Sequence, residues 1–269
     1  MSQQNDRKEL LCQVLGNLSS QLRYAMGNLC AAKQLSRGDA ETNRRNAAIE
    51  QQSIYRMMRI LNNLSDAPLL AEMPLFALKN ADLPVWLDGI FRQAQPLAEQ
   101  CGLTLRLRCA EAHHLCAVQE YYLSRLMWNL LSNAMKFTPA GGEVTLGMDL
   151  RGDQVLLSVT DTGCGIAAEQ MDRIYEGFLH PEYKAAPPHG LGLGLPLCRA
   201  IAEGHGGRLL LTSREGEGTV ATVSLPDKIS STMTFSAPAF SYTGGFQPVM
   251  VELSDALPYE AFTERNLDE

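Results

Sequence analysis

The stretch NLLSNAMKF, from Asn129 to Phe137, lies within a segment that has the period of an amphipathic helix. Apolar residues recur at intervals of three and four over about 121–136, which predicts one buried stripe. The members of that stripe are Leu126, Leu130, Leu131 and Ala134. Asn129, Asn133 and Lys136 recur at the same intervals on a second face. Two carboxamides and an ammonium suit a hydrated magnesium ion and the phosphates it bridges, although this spacing alone is also typical of a solvated face.

Two glycine-bearing segments follow, DTGCGI at 161–166 and GLGLGL at 190–195. In the first, Asp161 leaves a predicted strand and meets two glycines, which permit a turn or a close approach of the backbone to a ligand. The second precedes the apolar helix LPLCRAIAEGHGG. Each glycine would cost about 1 kcal/mol inside a helix, so we expect them to lead into its amino terminus, where free N–H groups bind phosphate oxygens. The three segments together predict a nucleotide site.

The composition excludes several classes of protein. The net charge of -7 argues against nonspecific nucleic-acid binding, because a phosphate polyanion would be repelled. The sequence contains no run of 18 apolar residues, and its start, MSQQNDRKEL, is too polar for a signal peptide. We therefore expect a cytoplasmic protein without a membrane span of its own. The seven cysteines, an odd number, fit reduced thiols.

Four residues of the types that bind metal ions are clustered in a short segment. Cys109, His113, His114 and Cys116 lie within eight residues of one another. Their spacing matches no common zinc motif, and they fall between the two predicted strands LTLRLRC and LCAV. A plain connecting loop is favoured over a zinc site.

The amino-terminal third has the pattern of a helical hairpin. Apolar residues at near-heptad spacing predict one helix over about 8–36, and Gly38 and Asp39 predict a stop and the cap of a second helix that ends at about Asp66. Two narrow apolar stripes cannot be buried by one hairpin, so a dimer with a four-helix bundle is favoured. The alternative is a hairpin that lies on the next domain of its own chain.

Further elements are predicted between residues 67 and 226. A connector with a short strand leads to a helix over Leu83–Gln100, in which Pro84 fits the first turn and Pro96 limits the far end. EVTLGMDL and QVLLSVT are predicted to form a hairpin around 151–153, and RLLLTS and TVATVSL a second one. This order predicts a mixed sheet with about three helices on one face.

Residues from about 70 to 226 resemble the ATP-binding domain of sensor histidine kinases, within the superfamily that also holds gyrase, heat-shock chaperone and mismatch-repair ATPases. NLLSNAMKF is similar to the N box, DTGCGI to the G1 box, IYEGF at 174–178 to the F box, GLGLGL to the G2 box and GEGT at 216–219 to the last glycine box. The resemblance implies an α+β protein. Its N-terminal antiparallel helical hairpin, a four-helix bundle in the dimer, would precede an α/β sandwich of the histidine kinase ATPase type.

The resemblance also implies ATP and Mg²⁺ as cofactors and gives individual residues roles. Asn129 and Asn133 would hold magnesium and phosphate, with Asn133 the preferred metal ligand. Lys136 would contact phosphate, and Asp161 would accept a hydrogen bond from the adenine amino group. The glycines expected to shape the pocket and its lid are Gly163, Gly165, Gly190, Gly192 and Gly194. The other residues expected at the nucleotide are Phe137, Ile166, Tyr175, Phe178, Leu191, Leu193, Leu195 and Thr219.

The predicted hairpin resembles the dimerisation and phosphoacceptor domain of these kinases, with one departure. In the best-matching segment, SSQLRYAM at 19–26, Ser20 stands at the acceptor histidine, Gln21 at the neighbouring acid and Ala25 at the proline. A neutral imidazole has a free lone pair near pH 7, whereas a serine hydroxyl needs a base, which Gln21 cannot be. None of the five histidines lies in the hairpin, and His205 is interpreted as structural.

The chain is therefore expected to be a histidine kinase-type protein with impaired self-phosphorylation. The residues assigned to catalysis are Ser20, at the position of the missing histidine, Gln21, Asn133 and Lys136. A homodimer and a response regulator are the implied partners. The alternatives are a non-catalytic, ATP-dependent dimeric scaffold and a serine kinase that acts on a partner protein.

The predicted domains are the hairpin at 1–68, the ATP-binding domain at 69–226 and an extension of unknown role at 227–269. The segment 179–190 resembles a short ATP lid, and Gly177 replaces the usual proline of the F box. In the extension, PVMVEL alternates like a strand, and six aromatic residues argue against simple disorder. The extension is expected to dock on its own domain or on the dimer partner.

Overall fold

A computed structural model describes residues 22–34, 39–70, 76–171, 193–231 and 246–263. Its first helix, α1, covers 22–34, and α2 covers Ala40–Asp66. The backbone N–H of Thr42 donates to Asp39 Oδ1 at 2.8 Å, which is the predicted cap. A 3₁₀ turn, Ala67–Leu70, follows α2. The predicted end of the second helix is therefore confirmed.

In the described part of the chain, seven strands form two sheets. Their bounds are β1 Lys79–Asp82, β2 Thr104–Cys109, β3 Leu115–Val118, β4 Glu143–Arg151, β5 Gln154–Asp161, β6 Arg208–Arg214 and β7 Gly218–Pro226. The larger sheet has the order β2-β4-β5-β7-β6, in which β2 is parallel to β4 and the other neighbours are antiparallel. β1 and β3 pair antiparallel in a small separate sheet. Both predicted hairpins are present, and Gly152, with φ of 62°, turns the first.

Within the described ranges, three helices lie on the sheet: α3 (Leu83–Gln100), α4 (Glu120–Phe137) and α6 (Gly194–Gly204). Their apolar sides share one core with alternate residues of the strands, such as Val144 and Leu146 of β4. Residues on the other side of the sheet, such as Leu210, are exposed. A one-turn helix, α5 (Ala168–Met171), follows the DTGCGI segment. The α+β architecture is confirmed, and within the described ranges no helix is long and apolar enough to cross a membrane.

The helix predicted over Leu83–Gln100 is confirmed with these bounds as α3, and Pro96 lies inside it near its far end. Ala94 and Ala98 on either side of it are fully buried, so packing holds the helix together despite the lost hydrogen bond. Strands β2 and β3, which the loop with the histidines connects, belong to different sheets and do not pair with each other.

The carboxyl-terminal residues 246–263, here called the C-terminal cap, pack on α2 and α4 of the same chain. The strand predicted for PVMVEL is wrong: Pro248–Leu253 form helix α7, and a 3₁₀ turn follows at Tyr259–Phe262. Four consecutive residues of α7, from 250 to 253, are buried, which a half-buried strand does not permit. The cap therefore docks on its own chain, which was the first of the two expectations for this segment.

Candidate nucleotide site

Helix α4 presents the predicted polar face at one end of the sheet. The Gln119 side chain caps the helix by accepting from the Tyr122 N–H at 3.2 Å. The four predicted stripe residues are all buried in the core. On the polar face Asn129 is buried, whereas Asn133 and Lys136 are half-buried. The helix therefore separates its apolar and polar faces as its sequence predicts.

The Asn129 carboxamide joins α4 to two other helices. Its Nδ2 donates to the Arg125 carbonyl at 3.0 Å, and its Oδ1 accepts from Arg59 Nη2 of α2 at 3.3 Å. A Cβ placed on Gly194 would lie 3.2 Å from the same Oδ1. The start of α6 thus lies directly against the polar face of α4, as a nucleotide site shared by the two motifs requires.

Lys136 lies among charged groups from α2 and the C-terminal cap. Burial lowers the pKa of its ammonium to about 8; the nearby Asp255 opposes this shift, and Arg59 and Arg56 add to it. The Lys136 Nζ lies 5.3 Å from the ring centroid of Phe137, which is itself exposed. An anion bound here would relieve the repulsion between these cations.

Asp161 ends β5 with a buried carboxylate. Its Oδ1 accepts from the Gly163 N–H at 2.9 Å and from the Thr219 N–H at 3.3 Å. Burial raises the pKa of Asp161, and these two hydrogen bonds oppose the shift. Within the described residues both hydrogen bonds go to Oδ1, so Oδ2 is the oxygen that can accept from a ligand.

The loop after Asp161 requires glycine at two positions. A Cβ at Gly163 would lie 2.5 Å from the Phe137 carbonyl oxygen at the end of α4. Gly165 has φ of 65°, and its Cβ would lie 1.9 Å from the Arg214 carbonyl oxygen. The glycines of this motif therefore allow the loop to pack against α4 and the β6–β7 hairpin.

Ser213 of β6, which the sequence analysis did not single out, fixes this loop. Its Oγ accepts from the Ile166 N–H at 2.9 Å and donates to the Gly218 carbonyl at 2.8 Å. It also lies 2.9 Å from Thr219 Oγ1. Only the pairing of β6 with β7 brings Ser213 to the loop, so no local signal could have identified it.

A small apolar cluster lies where α6 begins. Leu193 and Leu197 are buried with Ile60 of α2, and Leu22 of α1 packs against them. Leu195 is half-buried in the main core. The amino-terminal helices therefore touch the end of the glycine-rich motif.

Several predicted site residues lie outside the described part of the chain. They are Ser20, Gln21, Tyr175, Phe178, Gly190, Leu191 and Gly192. Among the described members, Gly194 lies against Asn129, Gly163 against Phe137 and Thr219 against Asp161.

The two neighbouring histidines, His113 and His114, each lie within hydrogen-bond distance of a carboxylate. His113 Nδ1 lies 2.7 Å from Asp82 Oδ2, and His114 Nε2 lies 2.9 Å from Asp227 Oδ1. Partial burial would raise the pKa of Asp82, but its hydrogen bonds from His113 and His114 lower it overall. Within the described ranges no three His, Cys, Asp or Glu side chains form a metal-binding group.

His205 has the structural position that its sequence context predicts. Its Nδ1 lies 2.8 Å from the Ile201 carbonyl oxygen, and its Nε2 accepts from the Gln119 N–H at 3.0 Å. Burial lowers the pKa of the ring. The neutral imidazole thus ties α6 to the start of α4.

A buried charge network connects α2, α4 and the cap. The Arg125 guanidinium donates to Asp66 Oδ2 at 2.9 Å, to Asn63 Oδ1 at 3.0 Å and to Glu252. Burial opposes the charge of Arg125, but Glu252 and Asp66 outweigh it and raise its pKa. Sequence reasoning missed this network because its members come from three distant segments.

The comparisons with known proteins agree with this geometry. Residues 119–229 match the family described as histidine kinase-, DNA gyrase B- and HSP90-like ATPase. The alginate biosynthesis sensor protein KinB of Pseudomonas aeruginosa is 30% identical over 65% of this chain and 29% of its own length. The adaptive-response sensory kinase SasA of Rippkaea orientalis is 30% identical over 72% of this chain and 51% of its own length. The chain thus spans about half, or less, of these relatives.

Solved structures share the fold. Full-length ShkA in complex with AMPPNP gives a TM-score of 0.57 at 23% identity and covers 84% of this chain and 48% of its own. The catalytic domain of the histidine kinase ThkA gives 0.50 at 20% identity over 56% of this chain and 97% of its own. The solved structures agree with the fold, and the matching ATPase domain and the related kinases support a sensor histidine kinase family with an ATP-binding domain of this type.

Proposed function

We propose that this chain binds magnesium-ATP as a protein of two-component signal transduction and is impaired in transferring phosphate to its own acceptor position. The convergence of three elements carries the proposal. The start of α6 lies against the polar face of α4 at Asn129, whose Oδ1 lies 3.2 Å from a Cβ placed on Gly194, and the loop after Asp161 packs against the end of α4 at Phe137. The polar face of α4 and the start of α6 were predicted to contact magnesium and phosphate, and Asp161 the adenine amino group.

The side chains of the site fit a magnesium-bound adenine nucleotide. Carboxamide oxygens, as on Asn129 and Asn133, are ligands that Mg²⁺ accepts, and Lys136 supplies a cation for phosphate. Oδ2 of Asp161 can accept from an exocyclic amine, because Oδ1 holds the loop. Bound magnesium would neutralise phosphate charge.

Lys136 gives this site a pH dependence. Its ammonium has a pKa of about 8 because it is buried. A phosphate oxygen favours the charged form, so the affinity for ATP is expected to fall as the pH rises above 8. Fluorescence titration of a labelled ATP analogue at several pH values would measure this fall.

The expected loss of self-phosphorylation follows from the chemistry of the residues at the acceptor position. Ser20 stands where the family has its acceptor histidine, and Gln21 replaces the acid beside it. A hydroxyl without a base is a poor nucleophile at neutral pH. This change favours a second candidate function, a non-catalytic dimeric scaffold that responds to ATP.

Dimerisation and an encounter with a response regulator belong to the same proposal. Tyr24 and Met26 of α1 and Leu61 and Leu64 of α2 are exposed in the single chain. Exposed apolar residues on two neighbouring helices support a homodimer through the hairpin.

Incubation with γ-labelled ATP and magnesium tests both functions. Bound nucleotide without covalent label would support the scaffold. Label that is lost in acid but kept in alkali would identify a phosphohistidine and contradict the expected impairment. Label stable in acid would indicate phosphoserine.

Restoring the acceptor residue shows whether self-phosphorylation is impaired only because the acceptor is missing or also because the geometry for transfer is lost. The double variant Ser20→His with Gln21→Glu is expected to gain acid-labile label. The same variant with Asn133→Ala serves as the control, because it restores the acceptor but removes a proposed magnesium ligand. Nucleotide binding without label in the double variant would contradict the view that only the acceptor is defective.

A further inference from the structure

Arg59 of α2 is bound directly to the polar face of α4. Its guanidinium is buried, with Nη1 donating to Ser132 Oγ at 2.6 Å and Nη2 to Asn129 Oδ1 at 3.3 Å. Arg59 lies outside the motifs that predicted the nucleotide site, and Ser132 lies within NLLSNAMKF but was given no role there. A cation from the helical hairpin therefore occupies the carboxamide oxygen that is proposed to hold magnesium and phosphate.

The C-terminal cap holds Arg59 in this position. Asp255 Oδ2 lies 3.4 Å from Arg59 Nη1. One turn earlier on α2, Arg56 Nε donates to the Ser254 carbonyl at 3.2 Å, and two turns earlier Gln52 Nε2 donates to the Leu257 carbonyl at 2.7 Å. These contacts attach successive turns of α2 to the cap.

An aromatic contact secures the far side of the cap. Tyr55 of α2 is buried between two cap rings, with centroid distances of 5.2 Å to Phe246 and 5.3 Å to Phe262. Phe262 is fully buried. The cap is thus a packed part of the fold, and α2 cannot move from α4 without disturbing it.

The contacts of Arg59 and of a bound magnesium ion exclude each other. Both place a positive charge at Asn129 Oδ1, and two cations close together in a buried site repel strongly. Arg59 Nε has no hydrogen-bond partner among the described residues, so the guanidinium is held by its two terminal nitrogens. Magnesium-nucleotide brings phosphate charge that balances its own cation, so it can replace the Arg59 guanidinium at Asn129.

We propose that Arg59 and the C-terminal cap form a latch that competes with magnesium-nucleotide for Asn129. In the latched state α2 is fixed on the ATPase domain and the asparagine is engaged. Nucleotide binding releases Arg59 and loosens the cap. The inference rests on the proposed nucleotide site and adds to it a regulation built from α2 and residues 246–263.

Thermodynamic linkage relates nucleotide binding to the release of Arg59 and the cap. If only the released state binds nucleotide fully, the apparent dissociation constant exceeds the intrinsic one by the inverse of the released fraction. By reciprocity, nucleotide must favour release of the cap by the same factor. Both sides of the coupling can be measured on the full chain.

The first measurement is the affinity of the full chain for a non-hydrolysable ATP analogue with magnesium. Arg59→Gln removes the competing charge, so we expect about tenfold tighter binding, which corresponds to about 1.4 kcal/mol. Arg92→Gln is the matched control, because Arg92 forms an exposed ion pair with Asp88 on α3. Unchanged or weaker binding by Arg59→Gln would overturn the latch; weaker binding would make Arg59 a phosphate ligand instead.

The second measurement is hydrogen exchange of the cap. The amides of 248–262 are expected to exchange about tenfold faster when the analogue and magnesium saturate the protein, and Phe262→Ala is expected to tighten binding. Exchange that nucleotide leaves constant or slows would overturn the latch. If no folded variant binds the analogue, the proposed nucleotide site fails, whereas equal binding by wild type and Arg59→Gln rejects the latch alone.

Discussion

Replacing Arg125 is expected to lower the stability of the protein strongly, because this residue holds three segments of the chain together. Its guanidinium is buried and pairs with Asp66 at 2.8 Å and with Glu252. Arg125→Met keeps much of the side-chain volume but leaves two buried carboxylates without their cation. Removing one partner of a buried pair costs about 3–5 kcal/mol, so we expect a loss of that size in the free energy of unfolding.

The assay is urea unfolding followed by circular dichroism at neutral pH. Arg92→Met provides the control, because the Arg92–Asp88 pair is exposed and such pairs contribute about 0–1 kcal/mol. Combining Arg125→Met with Glu252→Gln removes one stranded charge and should recover part of the loss. A loss below about 1 kcal/mol in Arg125→Met, equal to that of the control, would refute the claim that this network fixes the cap and α2 on α4.

Three further predictions concern the core, a buried charge and a loop. Phe262→Ala should lower the free energy of unfolding by about 3–5 kcal/mol, because its ring is fully buried; a loss below about 1 kcal/mol in urea would contradict this. The pKa of Lys136 falls from 10.5 to about 8 on folding, so the unfolded chain binds more protons between these values and stability should rise by about 3 kcal/mol from pH 8 to 10.5. Lys136→Met should abolish that rise. Gly163→Ala places a Cβ 2.5 Å from a carbonyl and should cost about 1–3 kcal/mol, whereas Gly89→Ala, inside α3 with nothing within 4 Å, should stabilise the protein by up to about 1 kcal/mol.

Local patterns predicted the elements that local physics determines. The apolar period of α4, the cap at Asp39 and the turn at Gly152 all occur where the sequence places them. Each depends on residues within one helix or one turn. The glycines after Asp161 also predicted a close approach of the backbone correctly. A side chain at Gly163 or Gly165 would collide with a backbone carbonyl, so glycine is required at both positions.

The errors arose where distant segments decide the local structure. PVMVEL contains alternating valines and has the pattern of a strand, but burial against α2 and α4 makes it a helix. Arg59 and Asn129 are 70 residues apart, and Arg125 and Glu252 are 127 apart. In the sequence, an arginine on an amphipathic helix looks like part of a solvated face, so its role on α4 could not be foreseen.

The two arrangements left open for the hairpin use opposite faces of α2. At about 100° per residue, Leu61 and Leu64 lie about 140–200° around the helix from Arg59. Arg59 faces α4 and the cap, whereas Leu61 is 46% and Leu64 37% exposed. A hairpin that lies on its own ATPase domain therefore leaves an apolar face for a second hairpin. Dimerisation and the latch need not compete for the same side chains, so nucleotide could release α2 from α4 while the dimer remains intact.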